Sequence, residues 1–296
     1  MDKYKTLSHN TSTILKLKTT PKSRVYTTEI SSTITQNNKT AFNNIAEEFT
    51  LTYIKSEEGY LIYRKEVKKR FFLNEINFVI KKLDKAQELA LKMASINDVL
   101  EFYINKHFQI IKVINTSQIR EKWQVLKNEI LEGYPDFDSL IDDFDVQLEE
   151  KHIQQIFLED NFLNLLFTNL FHIEFKQKKE IEEEKLISNA LGIIDIPIIE
   201  KRVLVKNKRL FRNIINIATN ATIDTDSKKF SLAKINAFVG QLNTEKGSKH
   251  QLDFKYIGNY KIQPDTGLIS EIELEHTFEI KNLYKKTSTY NLKLED

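Results

Sequence analysis

The chain has 296 residues, 41% of them hydrophobic and 29% charged, so it can bury a sizeable core and folds rather than staying disordered. Its 44 basic and 42 acidic side chains leave a net charge of +2, which gives no global field for steering nucleic acid or an anionic membrane. It contains no cysteine, which excludes disulfides, thiolate nucleophiles and Cys-ligated zinc.

Residues 1–22 are rich in Thr, Ser and Lys and read as a flexible arm or an edge strand. Met1 to Ser8 hold no apolar run of the kind a signal peptide needs, and no stretch approaches the ~20 apolar residues that span a bilayer. A bacterial cytoplasmic protein is therefore expected, or a periplasmic one if a leader has been removed. Residues 23–73 carry strand patterns. Tyr26, Thr28, Ile30, Ser32 and Ile34 alternate with mostly polar neighbours, and Phe49, Leu51 and Tyr53 line one face of the next strand. Glu58-Gly59 turns the chain into a long third strand from Leu61 to Leu73, whose length calls for a strongly curved sheet.

Residues 74–190 read as a mainly helical middle with a short strand pair. Phe78, Val79, Leu83, Ala86, Leu89, Ala90 and Met93 recur at three- and four-residue steps, which predicts a helix over 74–95. Short strands are expected at 99–103 and 108–114. Asn115, Thr116 and Ser117 then offer N-caps for a helix carrying Ile119, Trp123, Leu126 and Ile130, ended by Gly133 and Pro135. Residues 136–190 read as helical throughout, with a run from Phe162 to Phe171 that is apolar nearly all round and a mixed-charge run from Lys176 to Lys185 that reads as a solvated helix.

From 193 to 296 an antiparallel meander is expected. Its strands fall near 196–205, 210–223, 230–242, 251–262, 268–280 and 287–294, and Pro264-Asp265-Thr266-Gly267 closes one hairpin. The fold class that follows is α+β: a single domain over 23–296 with one large curved antiparallel sheet, a half-barrel. The sheet is built from the N- and C-terminal strands, and the central helices pack on its concave face.

Catalytic motifs are missing: the sequence has no G-x-S-x-G, Walker A or G-x-G-x-x-G. His9, His107, His152, His172, His250 and His276 include no pair at metal-ligand spacing. The acidic stretch Asp136, Asp138, Asp142, Asp143, Asp145, Glu149 and Glu150 lacks the EF-hand frame and reads as the solvated face of a helix; a divalent-metal site is the alternative. Two basic clusters, Lys65/Lys68/Lys69/Arg70 and Lys201/Arg202/Lys206/Lys208/Arg209/Arg212, read as solvent faces of strands, with nucleic-acid contact as the alternative. No cofactor, metal or catalytic residue is assigned. The aromatic load, 19 Phe and 11 Tyr, reads as core or as an apolar groove between sheet and helices. The groove residues would be Phe157, Phe162, Leu166, Phe167, Leu170, Phe171 and Trp123.

The long C-terminal meander, the Pro264-Asp265-Thr266-Gly267 turn with Leu268-Ile269 after it, and the strand–Asn115–helix segment from Phe108 to Leu126 with Trp123 resemble the curved half-barrels of the LolA-like group. That group includes bacterial lipoprotein carriers and Bacteroidetes-type lipoproteins. The resemblance implies a fold that holds an apolar guest against a concave sheet. The sequence departs from the carriers in its larger helical middle and in having no lipobox cysteine. The expected function is a non-enzymatic binding protein holding an apolar segment of a partner protein, as a chaperone, adaptor or immunity protein does. The alternatives are a periplasmic carrier of lipid or another hydrophobic ligand, and a metal-dependent hydrolase using the 136–150 carboxylates.

Overall fold

The computed structural model describes residues 12–17, 19, 22–134, 137–176, 180–205, 214–242, 251–263 and 266–295. A small two-stranded sheet pairs β1 (Ser12–Ile14) with β7 (Glu174–Lys176), so the described part of the N-terminal arm includes an edge strand. The other eleven strands form one sheet. They are β2 (Arg24–Gln36), β3 (Lys39–Glu57), β4 (Tyr60–Phe72), β5 (Val99–Ile104), β6 (Ile110–Val113), β8 (Ile181–Leu191), β9 (Ile194–Val205), β10 (Ile215–Ile223), β11 (Leu252–Gln263), β12 (Leu268–Ile280) and β13 (Tyr284–Leu294). Their order is β6-β5-β4-β3-β2-β13-β12-β11-β10-β9-β8, with every pair antiparallel and β6 and β8 left as edges. The two ends of the chain meet at the middle of the sheet, where β2 and β13 pair from Tyr26–Leu294 to Gln36–Tyr284.

One face of the sheet carries Phe49, Leu51, Phe102, Ile198, Ile217, Tyr260 and Phe278 and shares a continuous core with the helical middle. The opposite face is polar, with cross-strand pairs such as Lys255–Glu275, Lys261–Glu271 and Thr277–Thr287. Bulges at Glu48/Phe49 and Tyr53/Lys55 of β3 interrupt the ladder to β4; such irregularities bend a strand and raise its twist. The helices are α1 (Lys85–Ala94), α2 (Thr116–Gly133), α3 (Asp138–Gln147), α4 (Glu150–Leu158), α5 (Asn161–Leu166) and α6 (Leu232–Leu242).

Four sequence expectations are corrected. The 74–95 helix shrinks to α1. Residues 74–80 form a tight turn because the Asn74 carboxamide oxygen accepts from Ile76 N (3.1 Å) and Phe78 N (2.9 Å), and Asp84 with Gln87 makes a capping box that starts the helix only at Lys85. The helix through Phe171 stops at Leu166. The solvated helix at 176–185 is replaced by β8, in which Ile181, Glu183, Lys185 and Ile187 face inward; the charges among them disguise the period of two. The strand at 230–242 is instead α6, where Ile235, Phe238, Val239 and Leu242 fall at helical steps. Residues 206–213 and Pro264-Asp265 lie outside the described residues; Gly267, at the end of that turn, takes the positive φ (69°) that favours glycine.

Candidate functional site

Arg202 is the largest charged side chain with no solvent exposure. It lies on β9, two residues beyond the equally buried Glu200, and both share the inward parity of Ile196 and Ile198. Register places Glu183 of β8 directly opposite Glu200, an arrangement that repels unless a cation intervenes. Arg202 supplies that cation. It donates to Glu200 through Nε (2.7 Å), contacts Glu183, and reaches across to Thr168 Oγ1 (2.7 Å) and the Asn169 carbonyl. Lys185 bridges Glu200 (3.1 Å) and Thr168 (3.1 Å), and the Tyr256 hydroxyl donates to Glu200. Burial alone would raise the Glu200 carboxyl; Lys185 and Arg202 override that and hold it down at about 2. Burial pulls the Lys185 amine below its usual range against the pull of Glu200. The two acids and two bases cancel, and together they clamp the 168–169 backbone to the sheet.

That clamp ends α5 and sends Phe167, Leu170 and Phe171 into the interior, where they are buried. Phe167 meets Phe102 (4.9 Å between ring centroids) and Phe108 (5.2 Å), and Phe171 meets Phe108 edge-on (5.4 Å). Leu166 and Phe157 are buried too, while Phe162 is half-buried against Phe49. Trp123 is also buried, but its ring packs on Phe144 and its N–H donates to Asp145 (2.7 Å). The structure thus brings the 157–171 residues together as a plug on the sheet and places Trp123 among α2 and α3. Among the described residues this interior includes small cavities. One of about 20 Å³ lies between Tyr26, Tyr63, Phe108 and Leu166, and one of about 30 Å³ between Tyr256, His276, Tyr290 and Leu165. Each has room for a water or two and no more.

The two edges of the sheet approach each other around this plug. Gln109, just before β6, donates to Glu183 of β8 at 2.8 Å, and His107 Nδ1 lies 2.9 Å from the Phe171 carbonyl oxygen. Side-chain amides from the helical middle cover both edges. Gln154 pairs with the Val113 backbone and Asn161 with that of Ser188. Between these covers a cleft of about 260 Å³ opens along the seam. Ile110, Leu158, Phe167 and Leu186 form its apolar part, and its polar part mixes the amides of Gln109 and Asn164 and the Thr168 hydroxyl with Glu159, Glu183, Glu184, Lys185 and Lys229. This volume sits just below the ~300 Å³ at the lower end of small-molecule sites.

Sequence reasoning missed Glu183, Lys185, Glu200, Thr168 and Tyr256. The signal was charge at the inward parity of strands: Glu200 and Arg202 continue the alternation of Ile196 and Ile198. The members of the basic clusters among the described residues are paired with acids; Lys206, Lys208, Arg209 and Arg212 lie outside the described residues. Lys65 and Arg70 turn inward onto Glu47 (3.1 and 2.6 Å), Lys68 and Lys69 pair with Glu66 and Glu48, and Lys201 pairs with Glu180 and Glu182. In the acidic stretch Asp145 takes Trp123 and Lys127 (3.0 Å), Glu149 takes Lys151, and Glu150 faces Arg120; Asp136 lies outside the described residues. Among the described residues no three His, Asp or Glu side chains gather to hold a metal ion, and no helix is long and apolar enough to cross a membrane.

The fold is thus an open eleven-stranded antiparallel sheet wrapped on a plug of its own chain. No protein-family model matches it, and no curated protein matches it. Among solved structures, a chain described as "lipid-protein interactions in lipovitellin" aligns with a TM-score of 0.49 and 11% identity, over 95% of this chain and 26% of that one. The chain spans about a quarter of that protein's length.

Proposed function

We propose that the protein is a non-enzymatic binding protein that holds an apolar segment of a partner protein, as a chaperone or adaptor does, along the seam between β6 and β8. The observation that carries this reading is the cleft between the two sheet edges, with Phe167 and Leu158 among its apolar lining and Lys185 and Lys229 among its polar lining. A strand edge accepts an extended segment through main-chain hydrogen bonds, while alternate side chains fill adjoining apolar space. The chain has no cysteine, so a Gln109→Cys/Glu183→Cys pair can be joined by a short bis-maleimide to clamp the seam. Host protein captured by the unclamped pair and lost from the clamped one supports the reading. Equal capture by both, or none by the wild type, refutes it.

A second reading, a LolA-like carrier of lipid, draws on the aromatic cluster of Phe102, Phe108, Phe167 and Phe171. In this reading the plug moves outward and an acyl chain takes its place. Co-purifying lipid in native mass spectrometry distinguishes it from the first.

A further inference from the structure

Three large apolar side chains stand in solvent within four residues of the turn after β4: Ile76 (71% exposed), Phe78 (67%) and Val79 (51%). The turn that presents them is held at both ends. Asn74 N donates to Phe78 O and Asn77 N to Asn74 O (2.9 Å each), the Asn74 carboxamide caps Ile76 and Phe78, and Ile80 N donates to Phe72 O at 2.9 Å. Asn77 adopts a left-handed φ of 60°, and its side-chain oxygen accepts from Asn44 Nδ2 of β3 at 3.1 Å. A loop this well bonded does not turn its apolar groups outward by fraying. It pre-orders them, so seating them in another medium carries little ordering cost.

The residues that follow include Lys81, Lys82 and Lys85, which are exposed and make no ion pair among the described residues; against these three cations stand two acids, Glu75, exposed within the turn, and Asp84, committed to Gln87 N (2.8 Å) at the start of α1. Apolar side chains at a tip with lysines behind them complement a bilayer whose interface admits the former and whose anionic headgroups attract the latter. We propose that the 74–82 turn is a docking tip that seats Ile76, Phe78 and Val79 in the surface layer of an anionic lipid bilayer. The tip lies apart from the seam and does not depend on what the seam holds.

The test is co-sedimentation of the full chain with vesicles of phosphatidylcholine alone and of phosphatidylcholine mixed with phosphatidylglycerol. The wild type is expected to bind the mixed vesicles and to bind the neutral ones far less. Ile76→Ser/Phe78→Ser should weaken binding roughly tenfold or more, because two exposed apolar side chains are lost and no core contact is. Lys81→Glu/Lys82→Glu should abolish the preference for phosphatidylglycerol. Trp123 is the only tryptophan and is buried, so Phe78→Trp adds a reporter whose emission should shift to the blue on mixed vesicles. Failure of the wild type to sediment, equal binding to both vesicle types, or a Phe78→Trp emission unmoved by vesicles overturns the proposal. A vesicle-independent dimer that the Ile76→Ser/Phe78→Ser variant loses assigns the tip to a second copy of the chain instead and also overturns it.

Discussion

Gln154 completes the hydrogen bonding of Val113 as a neighbouring strand would: Val113 N donates to its Oε1 at 3.0 Å, and its Nε2 donates to the Val113 carbonyl at 2.7 Å. Asn161 does the same for Ser188 on β8, at 3.0 and 3.1 Å. Open strand edges invite pairing with other chains, and here each of the two edges is blunted by one amide side chain. The amides come from α4 and α5, so the segment that fills the interior also guards the rims.

Gln154→Leu leaves the N–H and C=O of the buried Val113 without that partner. A loss of about 1–3 kcal/mol is expected in chemical denaturation. Light scattering should also show concentration-dependent association that the wild type lacks. A variant as stable and monodisperse as the wild type would show that the amide does not close the edge.

Arg202→Met strips the shared cation from Glu183 and Glu200, which stand opposite each other in register. The expected cost is about 3–5 kcal/mol, since an acid is left buried beside another. Adding Glu200→Leu should recover part of it, because removing both ions spares their desolvation. Equilibrium unfolding of the two variants decides the matter; additive losses would contradict the coupling.

His276 sets an acid limb to the stability. Its ring lies among Tyr256, Phe278 and Tyr290, and its Nδ1 has no hydrogen-bond partner. Burial, and then the nearby Lys286, lowers its pKa from 6.5 to about 4. As pH falls below 6.5 the unfolded chain takes up a proton that the folded one refuses until about 4, so stability declines through that window. The decline should reach ~3 kcal/mol. His276→Phe should flatten it between pH 6.5 and 4; an unchanged slope would assign the acid limb to other groups.

Gly258 makes room for the neighbouring strand. A Cβ there would lie 2.6 Å from Leu274 Cδ1 and 3.1 Å from the Glu273 carbonyl oxygen. Gly258→Ala is expected to cost about 1–3 kcal/mol through overpacking. Thermal melts of Gly258→Ala, Leu274→Ala and the double variant should be less than additive, since trimming Leu274 relieves the nearer contact.

The half of the fold that alternation governs was legible in the sequence. Tyr26–Thr28–Ile30 and Tyr256–Gly258–Tyr260 show their inward faces directly, and the joining of the two chain ends in one sheet followed from them. Where buried positions are charged, the pattern breaks. Glu183 and Lys185 made β8 look like a solvated helix, because only the fold supplies the Arg202, Glu200 and Thr168 that satisfy them. The 74–80 turn was hidden for another reason: Phe78 and Val79 fit a helical period that local Asn74 chemistry overrules. The 157–171 aromatics read as core or as a groove; in the structure Phe157, Phe167 and Phe171 are buried and Phe162 is half-buried, and no periodicity could reveal the seam beside them, which exists only once Gln109 and Glu183 meet.

The pairing of β2 with β13 has a consequence for synthesis. As the chain emerges from the ribosome, β2 to β6 are complete while β13 has yet to be made. Through that interval β2, already paired with β3 on one side, leaves its other edge open over Tyr26–Gln36, and the pair that finally covers it is a slow, long-range closure. In the finished sheet that position is the centre and needs no cover; Gln154 and Asn161 protect only the rims that stay open for good. The nascent chain is therefore most vulnerable at the very strand the mature protein shields best, and the wait for β13 is when a holding chaperone would matter.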